Sequence, residues 1–308
     1  MAAVGRHART HGLVTPQRYR VRHRTTYRYS SVVTGSYGRG FLVPRDTGQQ
    51  RCLTHRMHVD PAPADESRSR DAHGNLSTYF HITAPHTQLT VATDSVVEVR
   101  PAAGDGVAEQ PWEAARPAGP RHALHTEFVL DLQPPEITDA VRDYAAPTFT
   151  PGRPLHDAVT ELTRRIHRDF RYRSGTTTVS TRVAEVLAAR AGVCQDFARL
   201  AIACLRAQGL AASYVSGYLV TEPPPGAPRL VGADASHAWA AVWSPAGHWL
   251  AFDPTNDQFV DHRYIVLGWG RDYADIPPLR GVIYTESQHS AIDVAVDVTP
   301  YEGDLPDA

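Results

Sequence analysis

From Arg18 to Val33 the chain alternates almost without a break, with Tyr19, Val21, His23, Thr25, Tyr27 and Tyr29 on one side and Arg18, Arg20, Arg22, Arg24 and Arg28 on the other. A period of two sends these sets to opposite faces of a β-strand, so the stretch demands a sheet with one buried face and one wet face. Alternation returns at Cys52 to Val59, Leu76 to Ile82 and Leu89 to Arg100, with turn-rich sequence such as Asp71 to Asn75 in between. These segments predict an antiparallel β domain over 17–100, after a flexible N-terminus over 1–16. The arginine row belongs on the solvated face.

Residues 101–123 are rich in Pro, Ala and Gly without periodicity and read as a linker. Beyond them the period changes. Leu155, Val159, Leu162 and Ile166 recur at helical spacing, and Val183, Val186 and Leu187 follow a Ser180 or Thr181 cap. The helix from Val193 to Gln208, stopped by Gly209, is apolar nearly all round and belongs at the centre of a domain. Strands are expected at Ser213 to Val220, His237 to Trp243, Trp249 to Asp253, Arg263 to Leu267 and Ala291 to Val298. Helices followed by strands give an α+β arrangement over 124–300, with a tail over 301–308.

Composition removes several functions. All 31 Lys+Arg residues are Arg, so no lysine is present to form a Schiff base or to hold a phosphate in a Walker loop. A formal charge of -2 argues against nucleic-acid binding through bulk positive charge. No apolar run is long enough for a membrane span, and Cys52, Cys194 and Cys204 have no paired spacing. The expectation is a cytoplasmic protein with no membrane association. Despite 16 His, no HExxH motif or Cys-paired spacing indicates a metal, and no cofactor is expected.

Cys194 opens the apolar helix, where the dipole and the unpaired first-turn N–H groups favour a thiolate and can stabilise an oxyanion. Cys204 and Cys52 read as inert. A thiolate nucleophile needs a base and a group to orient it. His237 and Asp253 lie on consecutive strands. If Ser244-Pro245-Ala246 is a three-residue loop pairing Trp243 with Gly247, the two stand directly opposite, Cβ atoms about 5 Å apart. A five-residue loop makes them diagonal neighbours, and a four-residue loop separates them. Asp253 is expected to turn the imidazole so that Nε2 faces the sulfur.

The order Cys, His, Asp is that of papain-like folds. Gly192-Val193-Cys194-Gln195-Asp196-Phe197-Ala198, Tyr214-Val215-Ser216-Gly217-Tyr218, Ser236-His237-Ala238-Trp239 and Asp253-Pro254-Thr255 together resemble the core of the transglutaminase-like superfamily. Tyr19 to Tyr29, Leu42-Val43-Pro44-Arg45 and Asp71 to Asn75 are similar to the N-terminal β domain of its bacterial branch, and Gly270 to Pro278 to the sequence after its core. The resemblance implies a papain-like, transglutaminase-like core with Cys194, His237 and Asp253 as nucleophile, base and orienting acid. Position 195 is Gln where animal crosslinking members have Trp, no EF-hand loop is present, and Ala188 stands where papain-type proteases place an oxyanion glutamine.

Gln195, Trp239 and Tyr172 are the remaining candidates for touching substrate, while aromatic core packing is the competing reading for Trp239, Trp243 and Tyr172. Asp196 is read as complementing the helix dipole, and the loop from Thr221 to Ser236 as shaping the cleft. The expected activity is cleavage of an amide or peptide bond through a thioester, on a peptide or protein substrate that can be glutamine-containing. Acyl transfer to an amine is the alternative, and a non-catalytic binding module the alternative of another class.

Overall fold

A computed structural model describes residues 16–100, 110–117, 123–221, 236–287 and 289–305. The N-terminal half is a seven-stranded antiparallel sheet built on β1 (Gln17–Gly40), a strand of 24 residues. β2 (Gln50–Asp60), β3 (Asp65–Arg70), β4 (Leu76–Ile82) and β5 (His86–Val99) complete one side, in the order β2-β5-β1-β4-β3. As the alternation requires, Tyr19, Val21, His23 and Thr25 are buried. The arginines face outward, Arg20 donating to Asp94 at 2.6–3.2 Å and Arg18 to Glu98 at 3.3 Å.

The other edge of β1 corrects the expected boundaries. Leu279–Thr285 and Ser290–Pro300, assigned by the sequence to the core over 124–300, run antiparallel along β1 from Gly40↔Leu279 to Tyr19↔Pro300. A strand as long as β1 exposes a row of backbone donors and acceptors on each side, and the returning C-terminal strands satisfy the second row. The linker reading over 101–123 also changes in part. Trp112 is buried edge-on to Phe149 and donates to the Thr150 carbonyl at 2.9 Å, so residues 110–117 are anchored. Residues 1–15, 101–109 and 118–122 lie outside the described residues, as does 222–235 of the loop expected to shape the cleft.

The second half holds α1 (Ala123–Thr126), α2 (Asp139–Ala145), α3 (Leu155–Asp169), β6 (Arg171–Tyr172), α4 (Val183–Ala189), β7 (Ala191–Gly192) and α5 (Cys194–Ala207). β8 (Ala212–Leu219), β9 (Ser236–Trp243), β10 (Trp249–Asp253), β11 (Gln258–Phe259) and β12 (Tyr264–Gly270) follow, in the sheet order β11-β10-β9-β8-β12. The last two strands, β13 (Leu279–Thr285) and β14 (Ser290–Pro300), are those that return to β1. α4 starts one residue later than its expected caps allow, because Glu185 reaches back to the Arg182 N–H at 2.7 Å.

α5 is buried along its length from Asp196 to Arg206 and rests on the small side chains Ala238, Ala240 and Val242 of β9. Its two arginines are not exceptions to the apolar environment left unpaid. Arg206 donates to the carbonyls of Phe128, Ala212 and Arg271 at 2.7–2.9 Å, and Arg199 binds Asp272, Glu136 and the Thr181 carbonyl at 2.6–3.1 Å. Three hydrogen bonds from each guanidinium are what make such burial tolerable.

β12 is the outer strand of its sheet, and the first sheet covers its edge with side-chain amides. Gln50 donates to the Val266 carbonyl at 2.8 Å and accepts from its N–H at 2.7 Å, and Asn75 does the same at Trp269 at 2.7 and 3.0 Å. Arg45 lies over the Trp269 ring at 3.5 Å. The turn Asp71 to Asn75 and the segment ending at Arg45 therefore join the two halves, together with a shared cluster of Leu42, Val59, Tyr218, Ile265 and Leu267.

Candidate active site

Strand β7 ends at Gly192 and α5 begins at Cys194, so the nucleophile candidate sits in the first helical turn. Asp196 caps that turn. Its Oδ2 accepts from the Val193 N–H at 2.8 Å and from the Thr177 hydroxyl at 2.7 Å. The N–H groups of Asp196 and Phe197 return to the Val193 carbonyl at 2.9 and 3.1 Å. Helix geometry leaves the Cys194 and Gln195 N–H groups without an intrahelical acceptor. Gly192 is required here, because a Cβ would stand 2.8 Å from Asp196 Oδ2.

The hairpin between β9 and β10 takes the longer of the two productive loops. Trp243 pairs with Trp249 and Ala240 with Phe252, which leaves Ser244 to His248 between the strands. Gly247, at φ 86, ends the tight turn in the left-handed region that favours glycine and thereby sets this register. His237 and Asp253 are diagonal neighbours, joined by a bond from Nε2 to Asp253 Oδ2 of 2.7 Å. This reverses the expected ring orientation. Nε2 belongs to Asp253, and Nδ1 is the ring nitrogen left for Cys194, which lies near enough to favour the charged imidazole.

Asp253 is wholly buried and its carboxylate is fully engaged. Oδ2 also accepts from Asn256 Nδ2 at 2.6 Å and from the Tyr264 hydroxyl at 2.8 Å, while Oδ1 accepts from the Thr255 and Asn256 N–H groups at 2.8 and 3.4 Å. Burial opposes its charge, but these bonds and the imidazolium outweigh it and hold Asp253 below the ordinary carboxylate range. Burial likewise opposes a charged His237. The bond to Asp253, with the charge behind it, and the nearby Cys194 win and raise its pKa to about 10. Burial pushes the other two thiols up, Cys52 to about 11 and Cys204 to about 12.

The three remaining candidates separate. Tyr172 is 57% exposed, edge-on to Phe197 at 6.4 Å, and close enough for Cys194 to raise its hydroxyl pKa after the larger effect of burial. Gln195 is half-buried in the first turn of α5. Trp239 is fully buried, edge-on to Tyr264 at 5.2 Å and 6.1 Å from the His237 ring, so it packs beneath His237 and offers no surface to a substrate. Trp243 packs at the far end of β9 against His125, at 3.7 Å, and Trp249. Sequence reasoning missed Asn256 and Tyr264. Asn256 was signalled by the Asp253-Pro254-Thr255-Asn256 turn, whose N–H groups return to the first residue's side chain. Among the described residues no group of three or more His, Cys, Asp or Glu is disposed to hold a metal.

The transglutaminase-like superfamily core model matches residues 142–254, and the model of the bacterial transglutaminase-like N-terminal region matches 19–98. The chain belongs to the transglutaminase-like superfamily. Uncharacterized proteins of Mycobacterium tuberculosis and Mycobacterium bovis are 65% identical over 295 residues, covering 93% of this chain and 94% of theirs. A crystal structure from Cytophaga hutchinsonii, provisionally called a cysteine protease, has the same fold at TM-score 0.70 and 20% identity, covering 94% of this chain and 95% of that one. Over 67 residues the chain is 40% identical to the protein-glutamine gamma-glutamyltransferase of Pseudomonas aeruginosa, a stretch amounting to 21% of this chain and 10% of that protein. These likenesses support a cysteine-based catalytic fold. No helix of the described residues is long and apolar enough to cross a membrane.

Proposed function

We propose that the protein cleaves amide or peptide bonds, with Cys194 as nucleophile, His237 as proton carrier and Asp253 as its orienting anion. The observation that carries this reading is the set of a thiol in the first turn of α5, an imidazole near enough for that thiol to raise its pKa, and a buried carboxylate bonded to Nε2 of the same ring. The Cys194 thiolate attacks the amide carbonyl carbon, and the oxyanion meets the first-turn N–H groups. The C–N bond breaks as His237 passes its Nδ1 proton to the departing nitrogen, leaving a thioester on Cys194. Water then attacks the thioester, giving its proton to Nδ1, and the carboxylic acid leaves with the thiolate restored. Gln195 and Tyr172 border the nucleophile and are the residues proposed to meet the acyl donor.

Transfer of the acyl group to an amine in place of water is the second reading, favoured by the likeness to the glutamyltransferase. Both readings share the thioester, so one experiment tests them. The protein is mixed with a peptide library rich in glutamine, quenched in acid, and weighed intact. A mass added at Cys194, absent from Cys194→Ala, is the expected result, and the free acid or the amine adduct released on chasing decides between the readings. No adduct under any acyl donor, with Cys194→Ala indistinguishable from the parent in every assay, would favour a binding module.

A further inference from the structure

Tyr264 opens β12, at one end of the strand order β11-β10-β9-β8-β12, yet its hydroxyl lies 2.8 Å from Asp253 Oδ2 on β10 and 2.5 Å from Gln258 Nε2 on β11, at the other end. The sheet is therefore curled far enough for its two ends to meet, with the fully buried Trp239 inside the curl and edge-on to Tyr264. Gln258 stands directly across from Asp253 in the pairing of β10 with β11. Its amide is fixed in turn, because Oε1 accepts from Arg263 Nη2 at 3.0 Å, and Arg263 is clamped on Asp261 at 2.7–3.0 Å.

A hydroxyl has one hydrogen. With Gln258 Nε2 donating to its oxygen, Tyr264 is set to donate that hydrogen to Asp253. Burial and the adjoining Asp253 both raise the tyrosine pKa, so the donor stays protonated through the neutral range. Oδ2 then carries three donors: His237 Nε2, Asn256 Nδ2 and the Tyr264 hydroxyl. Donors that share one oxygen divide its charge between them, and a donor that itself accepts a hydrogen bond takes a larger share.

We infer that Tyr264, oriented by Gln258, is a positioning residue that holds the Asp253 carboxylate in place and weakens its grip on the His237 proton. The consequence lies in the departing-group step. An imidazolium bound too firmly by Asp253 is a poor acid towards the leaving nitrogen, and catalysis favours an acid matched to the working pH. Asn256 and Tyr264 are bonded to Asp253, Cys194 lies near His237, and Asp261 adds a charge near Tyr264 that Arg263 neutralises. The inference deepens the hydrolase reading and rests on its assignment of His237, but its test needs no turnover.

The test is an NMR titration of the full chain with carbon-13 in the histidine rings, His237 being assigned by its loss in His237→Gln, together with the low-field Nε2–H proton signal. In Tyr264→Phe, the His237 titration is expected to move up by about half to one pH unit and the proton signal to move downfield, as two donors share the charge that three shared. In Gln258→Leu, which weakens Tyr264 as a donor while leaving its ring in the core, the same shift is expected at about a third of the size. A tyrosine that only fills the curl would lower the melting temperature and leave the titration where it was. An unchanged or downward shift in Tyr264→Phe overturns the inference, and if that variant does not fold, an unchanged titration in Gln258→Leu overturns it. Failure of the hydrolase reading would show instead as an unreactive Cys194 with the His237 titration still responding to Tyr264.

Discussion

Replacing Asp253 by Asn removes the anion from the dyad with little change in shape. His237 holds its proton to about 10 against an ordinary 6.5. That gap of about 3.5 pH units corresponds to about 5 kcal/mol at 1.36 kcal/mol per unit, and it is what remains after burial has taken its share. The bond to Asp253 is the largest of the influences that raise the value. At least half of the net effect is then assigned to Asp253, about 2–3 kcal/mol, and the variant should lose its imidazolium about two pH units lower. Alkylation reads this without a substrate. Iodoacetate is anionic and iodoacetamide neutral, so a thiolate beside an imidazolium accepts both, whereas a thiolate beside a neutral ring repels the anion. The rate ratio of iodoacetate to iodoacetamide at Cys194 should fall near pH 10 in the parent and near pH 8 in Asp253→Asn. Equal midpoints would refute the claim that Asp253 holds the proton on His237.

The same dyad should shape stability against pH. Because the folded-state pKa of His237 lies above its unfolded 6.5, its stabilisation is whole below that value and is lost as pH rises towards about 10. Between pH 6.5 and 9 the parent should lose about 2–3 kcal/mol more than His237→Gln in urea melts, and parallel losses would contradict this. Gly192→Ala drives a Cβ into the Asp196 carboxylate, so it should cost about 1–2 kcal/mol through the lost cap and slow Cys194 alkylation; an unchanged melt would count against the cap. Leu200→Ala, at the fully buried centre of α5, should cost about 2–5 kcal/mol in the same melts. Gln50→Ala should cost about 1–3 kcal/mol and speed hydrogen exchange at the Val266 amide, which loses its acceptor.

Much of the site was legible because it depends on short-range pattern. Cys194 is placed by a helix start, and His237 with Asp253 by alternation on neighbouring strands; Gly247 fixes which register they take. The ring orientation was not legible, since both nitrogens are equally available until the approach direction of the carboxylate is known. Tyr264 was hidden for a different reason. Its bond to Asp253 crosses from one end of a curled sheet to the other, and curvature leaves no periodic trace. The return of β13 and β14 to β1 is likewise a matter of which edge was open, and the strand pattern of Ala291 to Val298 is the same in either sheet. The pairing of Gln50 and Asn75 with β12 shows why residues of the first half bear on the second, a link carried by side-chain amides bonded to the backbone of an edge strand.

The most direct measurement is alkylation of the native protein by iodoacetamide at pH 6, with the label mapped among Cys52, Cys194 and Cys204. Burial pushes Cys52 up to about 11 and Cys204 up to about 12, while Cys194 lies beside His237, whose pKa is raised to about 10. Label confined to Cys194, and lost in His237→Ala, is the expected result. Label spread over the cysteines, or equally fast at Cys194 without His237, would contradict a thiol activated by this dyad.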